Sequence, residues 1–461
     1  MLEKFLNIFR IPDLRKRVLF TLAILAVYRL GSHIPTPGIN AHQLELLFSQ
    51  QSGSALGLMD LFGGGNLRRM TVFALGIMPY ITASIIFQLL TVVYEPLARI
   101  QKEGELGRRK ITQWTRYMTI ILGALQSIGI AAILTKQGLV LNPGIGFSLM
   151  TVLTLTTGTG FIMWLGEQIT DRGIGNGMSL LIFAGIVAGL PHGVNELYQK
   201  VQTNAWGSFT IIAVALLAVG MIAVVAFIVF VERSERRIPI QSARRIVGRR
   251  MMGGQSSHLP LKVNSGGVMP VIFASSILSA PMLLSQTEWA QTSRFIHPIM
   301  EALTPGYPWY VFLNMLGIIF FAYFYISIVM KPDDIADNFR KSGSFIPGIR
   351  PGKRTSDFIN DILTRITLVG AVYLILIQMV PTFMISGIRF DKLFLIGRFF
   401  ENLPAWTTHG LNVNFYFGGT SLLIVVGVAM DTVNQIESQL IMRHYDGFSP
   451  RSGRIRGRKT W

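Results

Sequence analysis

Hydrophobic positions run along this chain in blocks too long and too evenly apolar for the half-buried helices of a soluble protein. Ten stand out, at 18–35, 71–93, 117–135, 148–168, 177–192, 208–231, 267–284, 309–330, 359–380 and 416–436. A helix needs roughly 20 apolar residues to cross a hydrocarbon core of about 30 Å. The pattern therefore predicts an all-α polytopic membrane protein with ten transmembrane helices; the blocks at 177–192 and 267–284 are short and lean on the repeat described next. Between the first two blocks, 56–70 reads Leu-Gly-Leu-Met-Asp-Leu-Phe-Gly-Gly-Gly-Asn-Leu-Arg-Arg-Met. It is too short and glycine-rich to span, yet apolar enough to re-enter the membrane, where irregular backbone is tolerated inside protein. An exposed amphipathic loop is the other reading.

Two of the blocks open alike. Gly76-Ile77-Met78-Pro79-Tyr80-Ile81-Thr82-Ala83-Ser84-Ile85-Ile86 recurs as Gly267-Val268-Met269-Pro270-Val271-Ile272-Phe273-Ala274-Ser275-Ser276-Ile277. Pro, the preceding Met and the following Ala-Ser align in register, which argues against chance. By block count the second helix runs inward and the seventh outward, so the copies lie on antiparallel helices. Inverted duplication of a broken helix marks transport machines built from two repeats. The expected organisation is a cytoplasmic N-terminus (1–17), an N-terminal five-helix half (18–192), a connecting hinge (193–207), a C-terminal five-helix half (208–436) and a basic tail (437–461).

Charge fixes the orientation. The chain carries a formal net charge of +18, and Lys and Arg outside the blocks concentrate on alternate connections, on the side of the N-terminus. Positive residues stay cytoplasmic, so both termini are inside. The first block lacks a small-residue cleavage site, is interrupted at Arg29, and reads as a retained helix, not a removable signal peptide. Three inner connections are long and basic: 94–116; 232–266, with Arg236, Arg237, Arg244 and Arg245; and 331–358, with Arg350. Topology explains much of their charge, but orientation does not require such length. Surfaces of this kind suit a cytoplasmic protein or the phosphates of structured RNA. In the last outer connection, 381–415, the stretch 390–400 is amphipathic and suits the membrane interface.

Candidate chemistry narrows the function further. The chain has no cysteine, and its seven histidines show no metal-ligand spacing. Glu167 and Asp431 fall toward cytoplasmic ends and Arg365 is within snorkelling reach, so no central carboxylate suggests a proton-coupled carrier. Neither a nucleophile pattern nor a phosphate-binding loop points to an enzyme, and no cofactor is expected. Instead, Ile81 and Ile272 occupy matched repeat positions, Ile77 and Ile81 share a helix face, and so do Ile272 and Ser276. A ring of such side chains makes a dewetted constriction; ordinary helix packing explains the spacing equally well. Thr82, Ser84 and Gln88 on one copy, and Ser275, Ser276 and Ser279 on the other, form polar stripes suited either to a seam that opens or to permanent packing. A small-solute transporter and a static scaffold are the alternatives to a passive channel.

Longer runs carry a family resemblance. They include Phe73-Ala74-Leu75-Gly76-Ile77-Met78-Pro79-Tyr80-Ile81, Gly107-Arg108-Arg109-Lys110, Trp164-Leu165-Gly166-Glu167-Gln168-Ile169-Thr170 and Gly173-Ile174-Gly175-Asn176-Gly177. Further on stand His258-Leu259-Pro260-Leu261-Lys262-Val263-Asn264, Pro347-Gly348-Ile349-Arg350-Pro351-Gly352 and Phe417-Gly418-Gly419-Thr420-Ser421-Leu422. With these the chain resembles the SecY family, channel subunits of the bacterial general protein translocase, from the first helix through the tenth. The resemblance implies a pore between two five-helix halves in the bacterial inner membrane, sealed by a ring at Ile77, Ile81, Ile182, Ile272, Ser276 and Ile424. It implies a plug over 58–70, including Leu58, Met59, Asp60, Leu61, Phe62, Gly63, Gly64, Gly65 and Asn66. A lateral gate falls at Thr82, Gln88 and Ala280. The basic loops match docking surfaces for the SecA motor ATPase and the ribosome, at Arg236, Arg237, Arg244, Arg245 and Arg350. SecE and SecG subunits, translocating polypeptides and anionic lipids complete the implied partners. Ser276 interrupts the isoleucine ring, Ala280 is small for its position, 381–415 is longer than the family leads one to expect, and the tail 451–461 matches no family motif.

Overall fold

The computed structural model describes residues 11–40, 43–44, 60, 63–203, 210–242, 245–247, 250–252, 256–285, 302–303, 307–385 and 419–446. Leu58, Met59, Leu61, Phe62 and Arg244 lie outside the described residues, as do the amphipathic stretch 390–400 and most of the tail. Each of the ten apolar blocks is occupied by a helix: α1 (Pro12–Gly31), α2 (Met78–Val93), α4 (Glu105–Lys136), α5 (Ile145–Arg172), α6 (Gly177–Gln202), α7 (Thr210–Arg233), α8 (Met269–Ser285), α9 (Pro308–Val329), α11 (Lys353–Ile385) and α12 (Gly419–Asp446). Among the described residues five helices are long and apolar enough to cross a membrane unaided, and α2 with its continuation α3 (Glu95–Lys102) makes a sixth candidate, bent by 100°. Pro96, in the first turn of α3, lacks the N–H that would carry α2 onward, which is why the chain turns there.

The second block departs from expectation. Its first third, 71–77, is not helical but a buried run of turns. Thr36 N donates to Met70 O (2.8 Å) and Val72 N to Ile34 O (3.0 Å), so this run borrows backbone partners from the segment after α1. Leu67, Met70, Ala74 and Leu75 then pack with Ile130, Leu134 and Leu155 in an outer apolar cluster. Apolar composition alone predicts a longer helix; Gly76, at φ +57°, ends the turns and Pro79 sets the first helical turn.

The basic connections also differ from simple loops. Residues 232–266 contain β1 (Glu235–Ser242), β2 (Arg245–Val247), β3 (Arg250–Met252) and β4 (Ser256–Lys262), so the helical fold carries two small sheets, one built on β1 and β4 and the other the β2–β3 pair. β1 pairs antiparallel with β4, from Glu235 opposite Lys262 to Gln241 opposite Ser256. Its far edge pairs with β5 (Ser344–Phe345) through Gln241 and Ser242 alone. Ile238 and Leu261 meet Ile346, Ile359, Ile362, Leu363 and Ile366 in one core. The loops 232–266 and 331–358 are therefore one folded unit, together with α10 (Pro332–Ser342) and the first turns of α11. The bond from Val263 N to Ser234 O (3.0 Å) sets the ladder phase. With a period of two, Pro239 and Pro260 turn their amide positions to the two outer edges of the β1–β4 pair.

The main core gathers side chains from α1, α2, α5, α6, α7, α8, α9, α11 and α12. At one end the glycine turn between α5 and α6 ties neighbours together. Ile174 N donates to Thr21 Oγ1 (3.1 Å) on α1, and Gly175 N to Gln435 Oε1 (2.9 Å) on α12. Asn176 caps α6, its Oδ1 accepting from Met178 N at 3.1 Å.

Candidate functional site

The duplicated motif is a duplicated structure. Gly76 and Gly267 share the same φ, +57°. Gly76 N donates to Phe73 O and Gly267 N to Asn264 O; Ile81 N donates to Ile77 O and Ile272 N to Val268 O. Pro79 and Pro270 both sit in the first turn of their helices. The motif thus builds the same turn-then-helix start twice, and the two helices it starts, α2 and α8, pack against one another.

Around these starts the expected ring residues converge. Ile77 at the N-cap of α2, Ile81 on α2, Ile182 on α6, Ile272 on α8 and Ile424 on α12 are all buried in a single apolar cluster, and Ser276 on α8 is buried as well. Ile186, one turn beyond Ile182, and Val428, one turn beyond Ile424, belong to the same cluster. Their i, i+4 spacing from Ile182 and Ile424 is the sequence signal that marks them. Gly427 lets α12 close on the start of α8: a Cβ there would lie 2.7 Å from Val268 Cγ2.

The described part of the segment expected to form a plug packs against the helices beside this cluster. Gly64 lies on Gly185 of α6, where a Cβ on Gly64 would be 2.5 Å from Gly185 Cα. Asn66, buried, donates from Nδ2 to the Tyr28 hydroxyl of α1 at 3.3 Å. Asp60, also buried, accepts from Arg68 N (2.9 Å) through Oδ1 and from Gly65 N (3.0 Å) through its backbone oxygen, which closes the loop on itself. These contacts make 63–66 a seated element and not an exposed amphipathic loop.

Along α2 and α8 the polar side chains bond locally. Thr82 Oγ1 donates to Met78 O (3.0 Å), Gln88 Nε2 to Ser84 Oγ (3.0 Å) and Ser275 Oγ to Val271 O (2.9 Å). Each of these bonds stays within its own helix, so separating the helices does not break it. Ala280 lies on α8. Beside Gln88, a half-open cavity of about 140 Å³ lies between α2, α3 and α4, lined by Tyr80, Ser84, Gln88, Thr91, Gln101 and Thr115 among others.

The basic candidates map to the sheet unit. Arg236 and Arg237 on β1 are exposed, as is Arg350. Arg237 Nη2 is paired with Glu235 Oε1 at 2.6 Å. Arg245 opens β2, opposite Met252 of β3. The shared core of Ile238 and Ile346 places the two basic loops on one body. The carboxylates read as lying at helix ends have partners: Arg116 Nε meets Glu167 Oε1 at 2.6 Å, joining α4 to α5, and Lys262 Nζ lies 3.7 Å from Asp431 Oδ1, joining β4 to α12.

The fold is shared with solved protein-conducting channels. One such channel superposes with a TM-score of 0.63 at 17% identity, with 95% of each chain covered. A SecY structure concerned with the plug domain and the closed state of the translocation channel gives 0.62. Sec61 from a canine ribosome–channel complex of the endoplasmic reticulum gives 0.58 at 15% identity. The sequence takes the assignment further. The chain belongs to the SecY family: the family profile matches residues 71–433. Protein translocase subunit SecY of Escherichia coli K12 is 48% identical over 439 residues, covering 94% of this chain and 93% of the relative. The subunits of Pseudomonas aeruginosa and Streptomyces griseus are 44% and 45% identical. Membership makes this a membrane protein of a channel-forming family, as the motif runs implied.

Proposed function

We propose that this chain is the protein-conducting subunit of a bacterial inner-membrane translocase, which passes unfolded secretory polypeptides across the bilayer and releases apolar segments sideways into lipid. The observation that carries the reading is the convergence of Ile77, Ile81, Ile182, Ile272 and Ile424 from four helices in one buried cluster, with Gly64 seated on Gly185 of the same α6. In this reading the isoleucines and Ser276 form the gasket, 58–70 is the plug, and the α2–α8 contact at Thr82, Gln88 and Ala280 is the lateral gate. The two five-helix halves, 18–192 and 208–436, are joined by the hinge at 193–207, with both termini cytoplasmic. Chain passage needs an apolar ring that excludes ions when closed and has no fixed ligand preference when filled.

The sheet unit, with Arg236, Arg237, Arg244, Arg245 and Arg350, is the docking face for the SecA motor or the ribosome. SecE and SecG subunits complete the complex, and anionic lipids meet the basic face. Energy comes from the docked partner, since the chain carries no phosphate-binding loop of its own.

The test is ion conductance of the reconstituted complex carrying Ile81→Gly together with Ile272→Gly. A gasket predicts a steady leak. A small-solute transporter predicts lost uptake without leak, and a scaffold predicts neither. Conductance equal to the unmodified complex, at normal membrane levels, sinks the gasket.

A further inference from the structure

The matched turns before α2 and α8 share a backbone but not a side chain. Three residues before the positive-φ glycine, one copy has Phe73 and the other Asn264. Phe73 is buried and stacks on Tyr28 and Phe161, with ring centroids 5.8 Å and 6.1 Å away. Asn264 is just as buried but held by directional bonds: its Nδ2 donates to Glu232 Oε1 at the end of α7 (2.6 Å) and to Gly267 O (3.1 Å). The stack ties the first turn to α1 and α5, whereas the amide bonds tie the second to the last turn of α7, immediately ahead of β1.

That turn is also the direct continuation of the sheet. β4 ends at Lys262, Val263 N bonds Ser234 O, and Asn264 follows at once. Neighbouring helices leave the junction little room. On α11, a Cβ at Gly370 would stand 2.9 Å from Val263 O. On α12, Gly427 abuts Val268, and Asp431 faces Lys262. Ile272 and Ser276 lie within the first two turns of α8, immediately beyond. Displacement of β4 therefore reaches α8 through Asn264 and its grip on Glu232.

We propose that Asn264, with Glu232 as its acceptor, is the positioning pair that couples the cytoplasmic sheet to the gate helix: a partner docked on β1 and β4 moves α8 through this joint, while α2 stays anchored by Phe73. The inference rests on the reading of α8 as a gate helix loaded from the sheet side. The side chain acts through α8 and touches no transported chain.

The test uses the whole reconstituted complex, with cysteines introduced at Gln88 and Ala280 in a chain that has none of its own. Ribosomes carrying a stalled secretory chain are the probe. Their binding affinity, the yield of a short cross-link between the two cysteines, and translocation rate are read together. In the otherwise unmodified protein, ribosome docking lowers the cross-link yield. In Asn264→Leu, ribosome affinity is unchanged, the cross-link no longer responds, and translocation falls about tenfold, a typical coupling between linked sites. Glu232→Gln keeps an acceptor oxygen for the Asn264 amide and behaves as the unmodified protein. A purely structural role for Asn264 instead predicts lower membrane levels and weaker docking together. Should Asn264→Leu fail to accumulate, Asn264→Asp, which sets a carboxylate against Glu232, gives the same uncoupling at nearly constant size. A full cross-link response in the Asn264 variants overturns the coupling and leaves the channel reading intact. No response to ribosomes even with Asn264 present overturns the gate reading and the coupling with it.

Discussion

Gly64→Ala tests how the proposed plug is seated, and its neighbour supplies the control. Gly64 and Gly65 both have positive φ, +68° and +82°. Placing an L-residue in that region costs roughly 1–2 kcal/mol, and opening the plug relieves it if the loop then relaxes. Since each 1.4 kcal/mol is a factor of ten, strain alone raises the open fraction about five- to thirtyfold. A Cβ at Gly65 meets nothing within 4 Å, so Gly65→Ala reports strain and nothing else. At Gly64 the added Cβ falls 2.5 Å from Gly185 Cα and 2.6 Å from Gly185 O, both backbone atoms of α6 with no side chain to swing aside. Carbon atoms pack at about 3.5–4.0 Å, so the plug or the helix must retreat by about an ångström. Gly64→Ala therefore exceeds Gly65→Ala in leak. Gly185→Ala, whose Cβ would stand 3.4 Å from Gly64 Cα in an ordinary helical conformation, leaks least. Single-channel recordings of the reconstituted complex give the open fractions. Equal leak from Gly64→Ala and Gly65→Ala, at equal protein levels, refutes backbone contact as the seat.

Other contacts make narrower claims. Asn66→Leu and Tyr28→Phe each remove the same 3.3 Å hydrogen bond; at about 0.5–1.5 kcal/mol for a neutral bond, each raises resting conductance about two- to twelvefold. The double variant does no worse than the stronger single one, and additive effects argue against a shared bond. Leu261→Ala empties a site in the sheet core beside Ile238 and Ile359. It costs about 2–5 kcal/mol there, read as faster protease cleavage within 232–266 while the helical body keeps its resistance. Unchanged cleavage would mean that the sheet is held by something other than this core.

What the chain reveals unaided follows the range of the physics involved. Block length and apolarity locate ten helices because the bilayer sets a length that each block meets or misses by itself. The repeat was legible because glycine and proline act locally: Gly76, Gly267, Pro79 and Pro270 impose one turn wherever they occur. The sheet is only faintly marked: Ile238 and Ile240, like Leu259 and Leu261, recur with the strand period of two, but a proline stands between the members of each pair. The arginine density of the same stretch favours an open loop instead. Residues 71–77 misled in the opposite way, because apolar turns and apolar helix look alike until backbone partners such as Ile34 and Thr36 are known. The polar contacts were beyond reach for a simpler reason. Tyr28 with Asn66, and Glu232 with Asn264, stand 38 and 32 residues apart, and no local pattern announces which distant side chain completes a hydrogen bond.

The prolines of the small sheet bear on a hazard specific to a machine that handles unstructured polypeptide. Any extended chain can add itself to an open strand edge, recruited by main-chain groups that every sequence possesses. Pro239 and Pro260 leave a missing donor in the middle of each outer edge of the β1–β4 pair. A passing polypeptide meets no continuous ladder of donors on either edge, so the sheet offers little to the one feature all cargo shares. In the proposed docking reading, selectivity at this surface falls to the exposed arginines Arg236, Arg237 and Arg350, which would meet a folded partner by charge and shape.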